Sequence, residues 1–244
     1  MEEIIKSVKV NYELYGNGDK TIVLLHGWGQ NIEMMKPIGD NFSKNYKVLI
    51  PDLPGFGKSD EPKDIWTMYD YADFIHELIE KLDIKKPILM GHSFGGKISL
   101  IYSSKYEVEK LVLFASPFRK GIKKLSLKTR MLKFLKKVPG LNKLEGYAKK
   151  HIGSQDYRQA SEFMRKILVE HVNLDTTEDV KKIKCPTLLI WGTNDIQVPL
   201  DEAYVLEKLI KDSGLVVYEG CTHYAYLERL GQIINVLRSF LGGE

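Results

Sequence analysis

The stretch PILMGHSFGGKISL, residues 87–100, places a serine between glycines where an apolar run gives way to a helical pattern. Residues 91–95 (GHSFG) fit the pattern G-x-S-x-G, which carries chemical meaning when it lies between a strand and a helix. Glycines also occur in many ordinary turns. The rest of the chain therefore has to decide whether this turn presents Ser93 as a nucleophile.

Short apolar runs alternate with helical patterns along the chain. The runs have the length of strands and are almost uninterrupted, which favours strands covered on both faces of a parallel sheet. They lie at 21–27, 46–52, 86–93, 109–117, 186–192 and 215–220. Between them, the i, i+3, i+4 spacing of apolar residues in 71–82 predicts an amphipathic helix. This alternation predicts an α/β fold with right-handed crossovers.

Two parts of the chain depart from this alternation of strands and helices. The opening residues alternate like an antiparallel edge strand or hairpin that ends at 16–18 (GNG). Between about 117 and 184 the patterns are helical and no strand candidate occurs. We interpret 117–184 as a helical lid inserted into a single domain, 1–244, whose core comprises 1–116 and 185–244.

The proposed lid is strongly basic. Residues 119–150 contain twelve Lys or Arg and one Glu, although the net charge of the whole chain is only +4. Such a block can mean an anionic partner, such as an anionic or carrier-bound acyl substrate. The alternative, a solvated helix face, is the interpretation that we favour. No base-stacking aromatic residues or nucleic-acid motif accompany the block, so we expect no nucleic-acid partner.

Composition excludes several other classes of protein. The chain of 244 residues has no run of about 18 apolar residues, so we predict no membrane span. Its first residues do not form a secretory signal. The two cysteines, Cys185 and Cys221, lack metal-ligand spacing, so we expect no metal site at them. Their scarcity favours a reduced, cytoplasmic location.

A serine nucleophile needs a base, and the base needs a carboxylate to orient it. Among the six histidines, His223 follows the last predicted strand directly, where its side chain can reach the carboxyl edge of the sheet. His92 adjoins Ser93, but neighbouring side chains in a tight turn point apart. Asp195 follows the strand at 186–192 and is the candidate acid; its alternative role is to form a turn. The order Ser93, Asp195, His223 is one known chain order of such a triad.

Two backbone amides are candidates for an oxyanion hole. The segment 26–29 (HGWG) makes a compact turn after a strand, and we assign one donor to the N–H of Trp28. The other is the N–H of Phe94, at the start of the predicted helix, where negative charge is favoured. His26 itself is predicted to be a structural hydrogen-bonding residue.

Five segments together resemble the α/β-hydrolase superfamily, in its serine esterase and lipase-like branch with a helical lid. The resemblance covers nearly the whole chain and departs at 117–184, where the family carries its variable lid. It implies a mostly parallel, eight-stranded sheet and hydrolysis without a metal or cofactor. The segments are HGWG (26–29), DLPGFGKSD (52–60), GHSFGG (91–96), WGTND (191–195) and CTHYAYLE (221–228).

We therefore expect a carboxylic ester hydrolase that forms an acyl-enzyme on Ser93 and acts on a small-molecule ester. Two alternatives stay open. One is hydrolysis of a carbon–carbon bond in vinylogous diketones by a similar triad, and the other is a ligand-binding or receptor protein on the same fold. A serine at position 93 argues against the dehalogenase and epoxide-hydrolase branches, which resemble this fold but use an aspartate there.

Overall fold

The computed structural model describes residues 1–120 and 160–242. Its centre is an eight-stranded sheet of order β1-β2-β4-β3-β5-β6-β7-β8. β1 pairs antiparallel with β2, and β2 with β4; the other neighbours are parallel. The predicted α/β fold with a mostly parallel sheet is confirmed. The strands are Glu2–Ile5 (β1), Val8–Tyr15 (β2), Thr21–Leu25 (β3), Lys47–Pro51 (β4), Ile88–His92 (β5), Lys110–Phe114 (β6), Thr187–Gly192 (β7) and Ser213–Tyr218 (β8).

Helices cover both faces of this sheet. In β3, Val23 and Leu25 pack in a cluster with the helices over 68–81 and 94–105. Ile22 and Leu24 pack in a second cluster with the helices over 36–42 and 230–241. Both faces of the strand are therefore buried, which explains its uninterrupted apolar sequence. A 3-10 turn spans Ile32–Met34, and the helices are Lys36–Phe42 (α1), Met68–Lys81 (α2), Phe94–Lys105 (α3), Glu162–Asn173 (α4), Thr177–Val180 (α5), Leu200–Leu209 (α6), Ala225–Glu228 (α7) and Leu230–Leu241 (α8).

Local polar signals set the ends of two elements. The opening hairpin turns through Lys6 and Ser7, whose φ values of 47° and 62° suit a two-residue type I′ turn. Helix α2 begins at Met68, before the predicted start at 71, because Thr67 and Asp70 form a capping box. Apolar spacing thus located the buried stripe of α2 but not its polar start.

The described part of the insertion packs back onto the core. The buried Lys97 of α3 donates from Nζ to the carbonyls of His171 (2.8 Å) and Leu174 (2.9 Å) at the C-terminal end of α4. Burial lowers the pKa of Lys97 to about 8, and the helix end supplies partners for its charge. The carbonyl of Phe118 accepts from the N–H (2.8 Å) and the hydroxyl (2.5 Å) of Thr176. The chain segments that enter and leave the insertion are therefore joined.

Much of the predicted lid lies outside the described residues. Apolar spacing predicts an amphipathic helix over 127–138 that falls there, and so does the basic block apart from Arg119 and Lys120. Arg119 forms a bidentate ion pair with Glu202 of α6, in which Nε donates to Oε2 at 2.8 Å and Nη2 donates to Oε1 at 2.9 Å. The division into a core and a lid stays a prediction. Within 1–120 and 160–242, no helix has the length and apolar character needed to cross a bilayer.

The close approach of α3 to β3 depends on Gly95. A Cβ at this position would lie 2.5 Å from the carbonyl oxygen of His26 and nearer still to that of Leu25. The N–H of Gly95 also donates to the His26 carbonyl at 3.1 Å. Both obstacles are backbone atoms, so they cannot rotate away from an added methyl group.

We expect Gly95→Ala to lower the free energy of unfolding by ~1–3 kcal/mol, the usual cost of overpacking. Gly231→Ala is the matched control, because an added Cβ meets nothing within 4 Å in α8. Helix propensity should leave that variant unchanged or up to ~1 kcal/mol more stable. Urea unfolding followed by circular dichroism measures both. Equal effects of the two substitutions would contradict the proposed packing constraint.

Candidate active site

Ser93 lies between the end of β5 and the start of α3. Its backbone has φ 51° and ψ −108°, a conformation that L-residues adopt only under strain. The N–H of Ser93 donates to the carbonyl of Phe114 at 3.0 Å, and its carbonyl accepts from the N–H of Lys97 at 3.0 Å. These bonds hold the half-buried serine at the carboxyl edge of the sheet, in the strand–turn–helix context that the sequence predicted.

Asp195 and His223 meet at the same edge of the sheet. Asp195 Oδ2 lies 2.7 Å from His223 Nδ1, and both side chains are buried. Asp195 Oδ1 accepts from the N–H groups of Gln197 and Val198, each at 2.8 Å. These bonds fix the carboxylate in one orientation. Since the carboxylate is an acceptor, it selects the tautomer with hydrogen on Nδ1 and leaves Nε2 of His223 to accept a proton.

The two predicted oxyanion donors have no other partner among the described residues. The N–H of Gln30 donates to the carbonyl of Gly27 at 3.2 Å and closes a turn in which Gly29 has φ 70°. Neither the N–H of Trp28, in this turn, nor that of Phe94 donates to any described group. Phe94 is the first residue of α3, so no carbonyl one turn earlier is available to it. The rings of Trp28 and Phe94 are 5.2 Å apart, so the two residues are neighbours.

His26 supports the turn that carries Trp28. Its Nε2 accepts from the N–H of Leu53 at 2.9 Å, and its Nδ1 donates to the carbonyl of Gly27 at 2.8 Å. Burial lowers the pKa of His26 to about 4, so the ring is neutral near pH 7. This is the structural role that the sequence suggested.

The His223 loop is also tied to the helix that follows it. The carboxylate of Glu228 accepts hydrogen bonds from the N–H of Thr222 (2.9 Å) and from the Thr222 hydroxyl. These bonds hold the pKa of Glu228 below its ordinary value. The residue just before His223 is therefore anchored from the solvent side.

The rings of Trp28, Phe56 and Phe94 form an aromatic cluster at the start of α3. The Trp28 ring lies 4.9 Å from that of Phe56 and 5.2 Å from that of Phe94, in edge-to-face arrangements. Met164 of α4 packs against Gly55, where a Cβ would come within 2.5 Å of the Met164 methyl group. Helix α4 thus covers the loop that carries Phe56. Phe56 and Phe94 are buried, so the half-buried Trp28 is the ring of this cluster that exposes surface.

Two buried polar residues of this region were not predicted from the sequence. His92 was set aside as a neighbour of Ser93, yet its ring lies 4.7 Å from that of His223. Lys97 was not singled out at all. One signal was available for both residues, because each is a polar residue in an otherwise apolar segment. His92 ends β5, and Lys97 lies in α3. As for metals, no three His, Cys, Asp or Glu side chains converge in the part of the chain that the structure describes.

Comparison with known proteins agrees with this fold. A family model described as alpha/beta hydrolase fold matches residues 20–126. The 2-hydroxy-6-oxononadienedioate/2-hydroxy-6-oxononatrienedioate hydrolase of Escherichia coli strain K12 is 29% identical over 275 aligned positions, which cover 99% of this chain and 93% of that protein. An esterase from Exiguobacterium antarcticum aligns over 100% of both chains, with a TM-score of 0.79 and 24% identity. A meta-cleavage product hydrolase from Pseudomonas fluorescens IP01 aligns over 99% of this chain and 97% of its own, with a TM-score of 0.77 and 23% identity.

The fold, the strained serine between strand and helix, and these likenesses define the class of protein. The chain has the α/β-hydrolase fold. Its likenesses are to hydrolases of this fold.

Three buried histidines make this part of the protein sensitive to acid. Burial holds the pKa of His26 at about 4 and those of His92 and His171 well below the ordinary value. In the unfolded chain each should titrate near ~6.5. Below that pH the unfolded state binds protons that the folded state does not. Stability is therefore fully present above pH ~6.5 and falls as the pH falls, by up to ~1.4 kcal/mol per pH unit for each histidine.

We expect His171→Leu to reduce this acid sensitivity. His171 Nδ1 has no hydrogen-bond partner among the described residues, and the ring packs edge-on against Phe94 at 4.9 Å, so leucine can replace its apolar contact. Urea unfolding at pH 7, 6 and 5 should show a slope about 1 kcal/mol per pH unit shallower than in the wild type. An unchanged slope would mean that His171 is protonated in the folded state.

Proposed function

We propose that the protein is a serine hydrolase in which Ser93 is the nucleophile, His223 the general base and Asp195 the residue that orients the base. The observation that carries this proposal is the buried 2.7 Å contact between Asp195 and His223, at the same sheet edge as the strained serine. A protein that only binds a ligand has no need of this arrangement. The intact pair therefore argues against a receptor role on this fold.

The chemistry follows from these positions. His223 Nε2 takes the proton of the Ser93 hydroxyl as the oxygen attacks a carbonyl carbon. The N–H groups of Trp28 and Phe94 bind the oxyanion that forms, and one such donor is typically worth ~2.7–4 kcal/mol. The leaving group departs with the proton from His223. Water, activated by the same histidine, then releases the acyl group from Ser93, while Asp195 keeps the imidazole oriented.

The curated relatives support carbon–carbon bond hydrolysis as the first candidate reaction. The compound in the name of the Escherichia coli relative has a carbon skeleton without an ester, so its hydrolysis breaks a carbon–carbon bond. Cleavage by the proposed site would transfer the acyl part to Ser93. The bonding electrons would pass into the conjugated enol part, which takes a proton and leaves. This substrate class was only the alternative in our expectation from sequence, and 28–29% identity over 99% of the chain now favours it.

Hydrolysis of carboxylic esters is the second candidate, and the paired state of two nearby cations favours it. A dicarboxylate substrate would need cations near the site. Two cations of the surrounding elements are already engaged, because Lys97 donates to the carbonyls that end α4 and Arg119 is paired with Glu202. An ester with a neutral, apolar acyl group needs no such partner. The predicted basic lid, largely outside the described residues, is the remaining source of charge for an anionic or carrier-bound substrate.

The nucleophile is tested by Ser93→Ala, with Ser104→Ala, in the helix that follows Ser93, as the control. We expect Ser93→Ala to lose labelling by a fluorophosphonate and at least ~99% of turnover, because no nucleophile remains. Ser104 only donates to the carbonyl of Ile101, so its variant should keep both activities. Intact-protein mass spectrometry measures the labelling. Labelling that survives in Ser93→Ala would remove Ser93 from the nucleophile role.

The bond cleaved is tested by assaying two substrate series side by side. If carbon–carbon hydrolysis is the reaction, we expect kcat/KM for a 2-hydroxy-6-oxo-dienoate to exceed that for the best p-nitrophenyl ester by at least ~100-fold, about 2.7 kcal/mol of transition-state stabilisation. Loss of the dienol absorbance and release of p-nitrophenol follow the two reactions. Each series should include one member with a neutral acyl part and one with an anionic acyl part. The opposite ratio would favour the ester, and a preference for the neutral member would argue against a cationic substrate pocket.

A further inference from the structure

His92 is fully buried directly beneath the loop that carries His223. Its Nε2 lies 3.0 Å from the backbone carbonyl oxygen of His223, across 131 residues of sequence. The two rings are 4.7 Å apart, and the ring of Tyr226 lies 4.7 Å from His92 on another side. The ring therefore hydrogen-bonds to the backbone of the proposed base and lies against its imidazole.

The other edge of the His92 ring lies against the turn that presents Trp28. A Cβ built on Gly27 would come within 2.8 Å of His92 Nδ1, so the absence of a side chain at 27 is what admits the ring. Gln30 closes the same turn, because its Oε1 accepts from the N–H of Gly27 at 2.8 Å. That oxygen is 3.3 Å from His92 Nδ1. One imidazole thus spans the space between the His223 loop and the turn over 27–30.

The hydrogen on this ring can be placed from its surroundings. Both nitrogens face oxygens that accept hydrogen bonds, and burial together with the nearby His223 holds the pKa of His92 well below its ordinary value. A neutral ring has one hydrogen for two acceptors. Gln30 Oε1 already accepts from Gly27, whereas the His223 carbonyl is the nearer acceptor. The hydrogen therefore lies on Nε2 and bonds to the His223 carbonyl.

We propose that His92 is a positioning residue, whose buried ring fixes the His223 loop at a set distance from the turn that carries the Trp28 oxyanion donor. This inference rests on the proposed function of Ser93 and His223. Its physical basis is that the base and the oxyanion donor come from loops after different strands, β8 and β3, and both have to meet one substrate atom to within a fraction of an ångström. The ring keeps the His223 loop and the turn over 27–30 at a fixed separation.

Three substitutions separate a positioning role from a general packing role. In His92→Gln, the amide nitrogen reaches about as far as Nε2 and can still donate to the His223 carbonyl. In His92→Asn, the amide reaches only as far as Nδ1, so that bond is lost although polarity is kept. His92→Leu removes both the bond and the polarity. Thermal melting and near-UV circular dichroism identify any variant that fails to fold.

We expect His92→Leu and His92→Asn to lower kcat for p-nitrophenyl acetate by about 10- to 100-fold with KM changed by less than about twofold, because a displaced base affects the transition state and not substrate binding. His92→Gln should retain kcat to within about threefold of the wild type, because its hydrogen bond persists. The rate of Ser93 phosphonylation by a fluorophosphonate should fall in the same order. If His92 contributes to stability alone, the loss of rate among the variants should instead follow the loss of melting temperature.

The outcomes distinguish this proposal from the proposed function. If the wild type is labelled on Ser93 and all folded variants react at the wild-type rate, the positioning role is wrong and the serine mechanism stands. The same conclusion holds if His92→Gln loses as much kcat as His92→Leu. If the wild type is not labelled on Ser93, the serine mechanism fails and the positioning role fails with it.

Discussion

The strained backbone of Ser93 is the constraint on which the rest of the site depends. A residue with φ 51° persists only where its surroundings leave it no alternative. Here the serine N–H is tied to β6, while Gly95 lets α3 approach the backbone of β3 so closely that a methyl group does not fit. The strain therefore depends on the sheet and is not a property of the loop alone. It places the hydroxyl at the sheet edge where β7 and β8 deliver Asp195 and His223.

All four histidines around this edge are buried, and their neighbours divide them into two kinds. His26, His92 and His171 lie in surroundings that disfavour the charged ring, and their pKa values are lowered accordingly. They serve as neutral donors, acceptors and packing groups that hold loops in place. His223 alone among these four hydrogen-bonds to a carboxylate, which orients its ring for the role of base that we propose. The same residue type thus does structural and chemical work within one small volume, and the neighbouring groups decide which.

The sequence predicted the parts of this molecule that depend on repeated patterns. The six apolar runs are strands because both faces of the sheet are covered, and the positions of Ser93, Asp195 and His223 follow from the rule that loops after parallel strands gather at one edge. The start of α2 was missed because a capping box, not an apolar stripe, sets it. The contact of His92 with the His223 loop was missed for a different reason. It joins residues 131 positions apart, and no periodicity encodes such a pair.

The clamped base of the insertion has a consequence for how such proteins diversify. The carbonyl of Phe118 is bonded to Thr176, and Lys97 of α3 donates to the carbonyls that end α4. The outgoing segment is therefore tied both to the incoming segment and to the helix that follows the proposed nucleophile. A segment replaced between residues 121 and 159 would start and finish at anchored positions, whatever its length. These fixed attachment points allow the segment between them to be exchanged by grafting while the reactive edge of the sheet keeps its geometry.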